Sequence, residues 1–200
     1  MKKAYFFGDS FIYGWLCHPG DSYYESCNES DKRIMPKIVA DDLDAELVNK
    51  AQYGFSNDAI LYSVINEMHK VNEGDIVCIF DTHSTRNIFM GSNRKDIYEQ
   101  WPEELRFPLD PDEADKIRGP WLEYEDQFKQ LFTNLYEGIV KELRRRNVNA
   151  YYFSSGNNWY SAQGLKEDKI KNDGHWNFPG HQKAAKWVLG LIKNGYNKLI

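Results

Sequence analysis

The chain has 200 residues and a formal net charge of −5, from 25 lysines and arginines against 30 aspartates and glutamates. This length suits one domain, which buries roughly two thirds to three quarters of the surface that its unfolded chain exposes. The acidic balance argues against nucleic acid as the main partner, because phosphate binding needs clustered cations.

A signal peptide, a membrane span or paired cysteines would indicate the cellular compartment. The apolar stretch after Met1-Lys2-Lys3 is needed as the first strand and is too short for the hydrophobic region of a signal peptide. No run approaches the ~18 apolar residues of a membrane span. Cys17 and Cys27 could pair under oxidising conditions, but nothing in the sequence requires it. We therefore expect a cytoplasmic protein with no membrane partner; release by lysis or by other machinery would leave the same sequence.

Hydrophobic periodicity predicts strands that alternate with helices along the chain. The predicted strands, rich in apolar residues, are Ala4–Phe7, Glu46–Asn49, Ile76–Phe80 and Ala150–Phe153. The predicted helices are Ile34–Leu43, Asp58–Val71, Trp121–Arg146 and Gly180–Asn194. This alternation predicts a central parallel sheet with helices on both faces, a three-layer α/β/α sandwich.

The long helix over Trp121–Arg146 has a predicted buried stripe and a cationic end. The three arginines at its end complement the helix dipole, so we interpret them as structural. The stripe comprises Phe128, Leu131, Phe132, Leu135, Ile139, Val140 and Leu143.

Between Arg86 and Pro120 the periodicity disappears. This segment carries four prolines and many charges. Because structureless stretches of that length are uncommon inside compact domains, we predict a functional, irregular insert at about 86–120 within a single domain of residues 1–200.

The first predicted strand ends in Gly8-Asp9-Ser10, which is typical of a tight turn at the end of a buried strand. A serine that such a turn presents can act as a nucleophile. Aspartate and serine also form ordinary turns and helix caps, so the triplet alone does not decide between the two roles.

Polar residues follow every predicted strand. Because ligands bind beyond the carboxyl ends of parallel strands, we expect these residues to converge on one cleft. In chain order they are Ser10, Gly54 with Asn57, Asp81-Thr82-His83, Ser154–Asn157 and, before the last helix, Asp173-Gly174-His175.

These residue types suit acyl transfer. A serine nucleophile needs a base, and histidine titrates near neutral pH, so His175 is the candidate base. Asp173, two residues away, can fix the histidine tautomer. The backbone N–H groups of Ser10 and Gly54 are candidate donors to an oxyanion.

The sequence resembles the SGNH (GDSL-type) hydrolase family in three blocks that occur in the family's order: Phe7–Ser10, Asn49–Asn57, and Asp173–Asn177 with Gly180-His181. The resemblance implies a flavodoxin-like three-layer fold. It also implies that Ser10 is the nucleophile, His175 the base, Asp173 the orienting acid and Gly54 an oxyanion donor.

Two positions depart from the family pattern. The family has an oxyanion-binding asparagine after the third strand, where this chain has His83, with Thr82 as the alternative donor. The usual Asp-x-x-His spacing is Asp-x-His here, and Asn172 stands where the acid is expected. Either Asp173 or a backbone carbonyl therefore orients His175.

The functional expectation is hydrolysis of an ester through an acyl-Ser10 intermediate, with a small acyl group such as acetyl, carried by a small molecule or a carbohydrate. Asn57 is a further candidate for substrate binding, and Arg86 binds either an anionic substrate group or the acidic insert. An acyltransferase with the same residues and a non-catalytic glycan-binding module are the alternatives.

A metal site is the remaining alternative. The pairs Asp81/His83 and Asp173/His175 carry ligands that suit zinc or manganese. No complete ligand set can be assembled from the sequence, so we expect no metal and no other cofactor. His181 and Cys78 are assigned to the structure rather than to the chemistry.

Overall fold

The structure is a computed structural model that describes residues 1–14, 34–82, 125–154 and 175–194. The predictions for Cys17, Cys27 and the insert at 86–120 lie outside these residues.

Four parallel strands form the sheet, in the order β2-β1-β3-β4. In the register of the sheet, Tyr5 of β1 lies between Val48 of β2 and Val77 of β3, and Val77 pairs in turn with Ala150 of β4. The strands are β1 (Lys3–Phe7), β2 (Glu46–Asn49), β3 (Ile76–Phe80) and β4 (Asn149–Phe153). The predicted parallel sheet is confirmed.

Five α-helices lie in the described ranges, and one of them, a single turn after β1, was not predicted. They are α1 (Ser10–Tyr13), α2 (Met35–Asp42), α3 (Asn57–Glu67), α4 (Glu125–Arg145) and α5 (Phe178–Lys193). A short 3-10 turn, Met68–Lys70, extends α3. No helix within the described part of the chain combines the length and the apolar character that crossing a bilayer requires.

Alternate residues of β1 divide the core into two layers, as the pleat of a strand dictates. Ala4 and Phe6 pack with residues of α2 and α5 on one face of the sheet. Tyr5 and Phe7 pack with residues of α3 and α4 on the other face. The three-layer α/β/α arrangement follows from these two clusters.

The buried stripe of α4 differs from the prediction at two leucines. Leu131 is 49% exposed and Leu135 is 40% exposed, whereas Tyr136 is fully buried. The Tyr136 hydroxyl donates to the carbonyl oxygen of Asn57 at 2.8 Å, and a phenol that finds an acceptor can enter a core. The stripe therefore runs through Phe132, Tyr136, Val140 and Leu143.

Two of the arginines at the end of α4 bind backbone carbonyls. Arg144 Nε donates to the carbonyl oxygen of Ala150 at 2.9 Å. Arg146 donates to the carbonyl oxygens of Met68 and Val71. These contacts tie the helix end to the sheet and to the turn after α3, which agrees with the structural interpretation of this basic cluster.

Candidate active site

The order in which strands are added to the sheet reverses between β1 and β3. The chain leaves β1 toward β2 on one side and later returns to β3 on the other side. In open parallel sheets the crevice beyond such a switch point is the usual ligand site. The residues at its mouth are Gly8, Asp9 and Ser10 after β1, and Asp81 and Thr82 after β3.

The turn that carries Ser10 is held by its own side chains. Asp9 is the N-cap of α1, and its Oδ1 accepts from the Phe11 N–H at 3.1 Å. A Cβ on Gly8 would lie 2.5 Å from Cγ1 of Ile12, so this close approach requires glycine. Ser10 is consequently placed at the first position of a helix directly beyond the strand end.

Ser10 contacts His175 across the top of the sheet. The Ser10 Oγ lies 2.7 Å from the His175 Nε2, a hydrogen-bond distance. Ser10 is only 2% exposed, whereas His175 is half-buried. A hydroxyl and an imidazole in this arrangement can exchange a proton, which is the first requirement of a serine nucleophile.

Aromatic rings hold the imidazole of His175. The ring centroid of Phe11 lies 4.7 Å from that of His175 and 5.3 Å from that of Trp176, which is itself buried. Asn177 then caps α5, because its Oδ1 accepts from the Gly180 N–H at 3.0 Å. Residues 175–177 are thus fixed by the ring of Phe11 and by the first turn of α5.

His181 lies below this site and serves the structure. It is 1% exposed, and its Nδ1 accepts from the Met35 N–H at 3.1 Å. Burial, with a smaller contribution from the charge of His175, lowers the pKa of His181 to about 3. The ring is therefore neutral over the physiological range, with its proton on Nε2, as the bond to Nδ1 requires.

Thr82 and Asn57 form a reciprocal pair instead of facing a ligand. The Thr82 N–H donates to Asn57 Oδ1 at 3.0 Å, and Asn57 Nδ2 donates to the Thr82 carbonyl oxygen at 3.2 Å. The Thr82 hydroxyl donates to Asp9 Oδ2 at 2.7 Å. Both hydrogen-bond donors of Thr82 are engaged within the protein, so the oxyanion role predicted as the alternative for Thr82 does not fit this geometry. Asn57, 3% exposed, uses its carboxamide to bind Thr82, and its role in substrate binding stays a prediction.

Gly54 occupies a turn that contacts the nucleophile segment. Its φ of 76° lies in the left-handed region, which glycine adopts without strain. The nearby Gln52 N–H donates to the carbonyl oxygen of Gly8 at 3.2 Å, so the glycine loop is anchored beside the Ser10 turn. Among the acceptors in the described ranges, none binds the Gly54 N–H.

The buried Asp81 and the half-buried Tyr152 form a pair that the sequence did not indicate. The Tyr152 hydroxyl donates to Asp81 Oδ2 at 2.6 Å, and Asp81 is 4% exposed. Burial and the adjacent carboxylate raise the pKa of Tyr152, so the phenol keeps its proton. Across the four described segments, no three histidine, cysteine, aspartate or glutamate side chains come together as a metal site would need.

Three predicted site residues, His83, Arg86 and Asp173, lie outside the described residues. Their roles stay predictions, as does the identity of the group that orients His175. Of the other predicted residues, the structure brings Ser10 and His175 into contact and places Gly54 in a loop that is bonded to Gly8.

Comparison with known proteins finds similarity in structure rather than in sequence. No protein-family model and no curated protein matches the chain. The chain is similar, at 16% identity and a TM-score of 0.50, to an active-site mutant of a family-two carbohydrate esterase from Clostridium thermocellum that was solved in complex with cellohexaose. That alignment covers 99% of this chain and 65% of the esterase.

Two further solved structures align over nearly their whole length. A member of the lipolytic G-D-S-L family from Veillonella parvula has 14% identity and a TM-score of 0.46, with 96% of this chain and 99% of that chain covered. A lipase/acylhydrolase from Enterococcus faecalis has 16% identity and a TM-score of 0.47, with 98% and 97% covered. The chain has the α/β fold of the SGNH (GDSL-type) hydrolases, which its sequence blocks predict.

Proposed function

We propose that the protein is a serine ester hydrolase of the SGNH type. The observation that carries the proposal is the 2.7 Å contact between Ser10 Oγ and His175 Nε2 at the switch point of the sheet. A nucleophile and its base must lie within hydrogen-bond distance of each other, whereas a histidine and a serine with separate structural roles need not.

In the acylation step, Ser10 Oγ attacks the carbonyl carbon of the ester while His175 Nε2 accepts the hydroxyl proton. The resulting tetrahedral intermediate carries its negative charge on the former carbonyl oxygen. His175 then gives the proton to the leaving alcohol, the bond from carbon to the alcohol oxygen breaks, and the acyl group remains on Ser10.

Deacylation repeats the sequence with water. His175 accepts a proton from the attacking water, and the bond between the acyl carbon and Ser10 Oγ breaks as the proton returns to the serine. The products are a carboxylic acid and the original enzyme. A second hydroxyl compound in place of water would make the same residues an acyltransferase.

Stabilisation of the oxyanion is assigned to the backbone N–H groups of Ser10 and Gly54. The assignment of Gly54 is supported by its left-handed turn, by the attachment of its loop to Gly8 and by the lack of an acceptor on its N–H among the described residues. Preorganised donors of this kind contribute about 10²- to 10³-fold each to the rate of acyl transfer. His83, at the position of the family's asparagine, is the proposed third donor.

The proposed substrate is a small acyl ester, such as an acetyl group, on a carbohydrate. The small exposed fraction of Ser10, 2%, favours an acyl group of few atoms. The carbohydrate part is supported by the similarity in fold to the carbohydrate esterase solved with cellohexaose.

The test compares hydrolysis of acetyl, butyryl and octanoyl esters of p-nitrophenol and of an acetylated cello-oligosaccharide. We expect turnover of the acetyl compounds, and a loss of roughly 10³-fold or more in Ser10→Ala, since a serine hydrolase without its nucleophile retains little activity. Ser63→Ala, at a half-buried serine of α3, is the matched control and should keep full activity.

Equal activity of Ser10→Ala and the wild type would contradict the proposal. Tight binding of the oligosaccharide without turnover of any ester would instead favour the glycan-binding alternative. Transfer of the acetyl group to an added alcohol, in preference to water, would identify an acyltransferase.

A further inference from the structure

A series of buried hydrogen bonds runs from α4 to the residue before Ser10. The Tyr136 hydroxyl donates to the Asn57 carbonyl oxygen, and the Asn57 side chain holds Thr82 through both its backbone N–H and its carbonyl oxygen. The Thr82 hydroxyl donates to Asp9. All four residues are at most 3% exposed.

Asp9 divides its two carboxylate oxygens between the two strand ends that form the crevice. Oδ1 accepts from the Phe11 N–H within the α1 turn, and Oδ2 accepts from the Thr82 hydroxyl just beyond β3. A buried carboxylate needs donors to compensate for its lost hydration. The Thr82 bond therefore sets the position of Asp9, and Asp9 sets the start of the helix whose first residue is Ser10.

We propose that Thr82 is a positioning residue that aligns Ser10 with His175 through Asp9 and does not contact the substrate. The inference rests on the proposed ester hydrolysis for its kinetic consequences. The Asn57 carboxamide binds both the N–H and the carbonyl oxygen of Thr82. The backbone of Thr82 is therefore fixed, and its hydroxyl donates to Asp9 from a fixed position.

Two substitutions distinguish the effect of the Thr82 hydroxyl from the effect of the side chain's size. Thr82→Val keeps the size of the side chain and removes the donor to Asp9, whereas Thr82→Ser keeps the donor and removes only a methyl group. Thr133→Val is the matched control, since the Thr133 hydroxyl of α4 lies 3.4 Å from the Tyr152 hydroxyl and makes no contact with Asp9.

We expect Thr82→Val to lower kcat on an acetyl ester by roughly 10- to 100-fold with KM changed less than about twofold, because small misplacements of reacting groups are costly. Thr82→Ser should recover most of kcat, and Thr133→Val should leave it unchanged. Because kcat is expressed per folded enzyme, a loss of folded protein alone would leave it unchanged in Thr82→Val. Wild-type kcat in a folded Thr82→Val would overturn the proposal.

The crystal structures of the wild type and Thr82→Val give a readout that needs no turnover. We expect the distance from Ser10 Oγ to His175 Nε2 to lengthen beyond hydrogen-bond range in the variant; an unchanged distance overturns the proposal. If the wild type hydrolyses no ester, the proposed function fails, and this distance alone judges the role of Thr82.

If Thr82→Val alone does not fold, the same substitution can be tested in a protein that already carries Asp9→Asn. Asp9→Asn removes the buried charge while its side-chain oxygen still accepts from the Phe11 N–H. Addition of Thr82→Val to this background should lower kcat further and lengthen the distance from Ser10 to His175, and no change on that addition overturns the proposal.

Discussion

The Ser10 hydroxyl lies 2.7 Å from Nε2 of His175, although 165 positions separate the two residues in the chain. Two packing contacts close this distance. Trp187 of α5 packs against Phe153 of β4, and this contact holds α5 against the sheet. Trp176, next to His175, packs edge-on against Phe11, next to Ser10. The neighbours of the two polar residues thus hold them together.

We predict opposite effects of the same substitution at two glycines. Gly8→Ala should lower the free energy of unfolding by about 1–3 kcal/mol, because the new Cβ would lie 2.5 Å from Ile12 Cγ1 and 3.3 Å from Phe80 Cβ. Urea denaturation followed by circular dichroism measures the change. Esterase activity should fall as well, since relief of the clash moves the turn that carries Ser10.

Gly138→Ala is the control for that substitution. Gly138 is exposed on α4, and a Cβ there meets nothing within 4 Å. The same denaturation experiment should show a gain of about 0.5–1 kcal/mol, because alanine is the better helix former. A destabilised Gly138→Ala, or an unaffected Gly8→Ala, would contradict the packing described for these two sites.

Phe11→Ala should reduce kcat more than its effect on folding explains. The ring of Phe11 contacts both His175 and Trp176, so its removal frees the imidazole to leave the serine. We expect kcat to fall by about threefold to tenfold, which corresponds to the ~0.5–1.5 kcal/mol of an aromatic contact. Leu47→Ala, which truncates a half-buried side chain of β2, should alter stability without altering kcat. Parallel losses of kcat in both variants would argue against the role of Phe11.

His181 should make the protein sensitive to acid. Its pKa is lowered from 6.5 to about 3 in the folded protein by burial, so below about pH 6.5 the unfolded chain binds a proton that the folded protein does not. Stability therefore falls as the pH falls from about 6.5 toward 3, by at most ~1.4 kcal/mol per pH unit for this one group.

The comparison of wild type with His181→Asn isolates this contribution. Asparagine can still accept from the Met35 N–H but does not titrate. The difference in unfolding free energy between the two proteins, measured by urea denaturation from pH 7 to pH 4, should shift in favour of the variant as the pH falls. A difference that stays constant over this range would show that His181 titrates normally in the folded protein.

The strands were the most predictable part of the fold. The bounds of β2 and β3 agree with the sequence prediction. For β3 the reason is plain, because β-branched and apolar residues that are buried on both faces form an unbroken run between turns. The face of α4 was less predictable. Leucine at positions 131 and 135 fits the helical period as well as tyrosine at 136 does. The sequence does not show that the hydroxyl of the buried Tyr136 finds an acceptor in the distant Asn57 carbonyl oxygen.

In the site, residues with intrinsic chemistry could be proposed from the sequence, but their supporting bonds could not. Ser10 and His175 stand out because a nucleophile and its base account together for two sequence blocks that lie at opposite ends of the chain. The pairing of Thr82 with Asn57 and Asp9 joins three loops, and hydrogen bonds between loops leave no local pattern. For that reason the sequence offers Thr82 only as the alternative to His83 as an oxyanion donor and does not indicate these bonds.

Reaction with a fluorophosphonate probe, followed by peptide mapping of the adduct, tests the central claim most directly. We predict that the wild-type protein carries the adduct on Ser10, and that His175→Ala abolishes or strongly slows labelling, because the hydroxyl then has no base to take its proton. Labelling of another serine while Ser10 stays unmodified, or labelling of Ser10 at the wild-type rate in His175→Ala, would contradict the account.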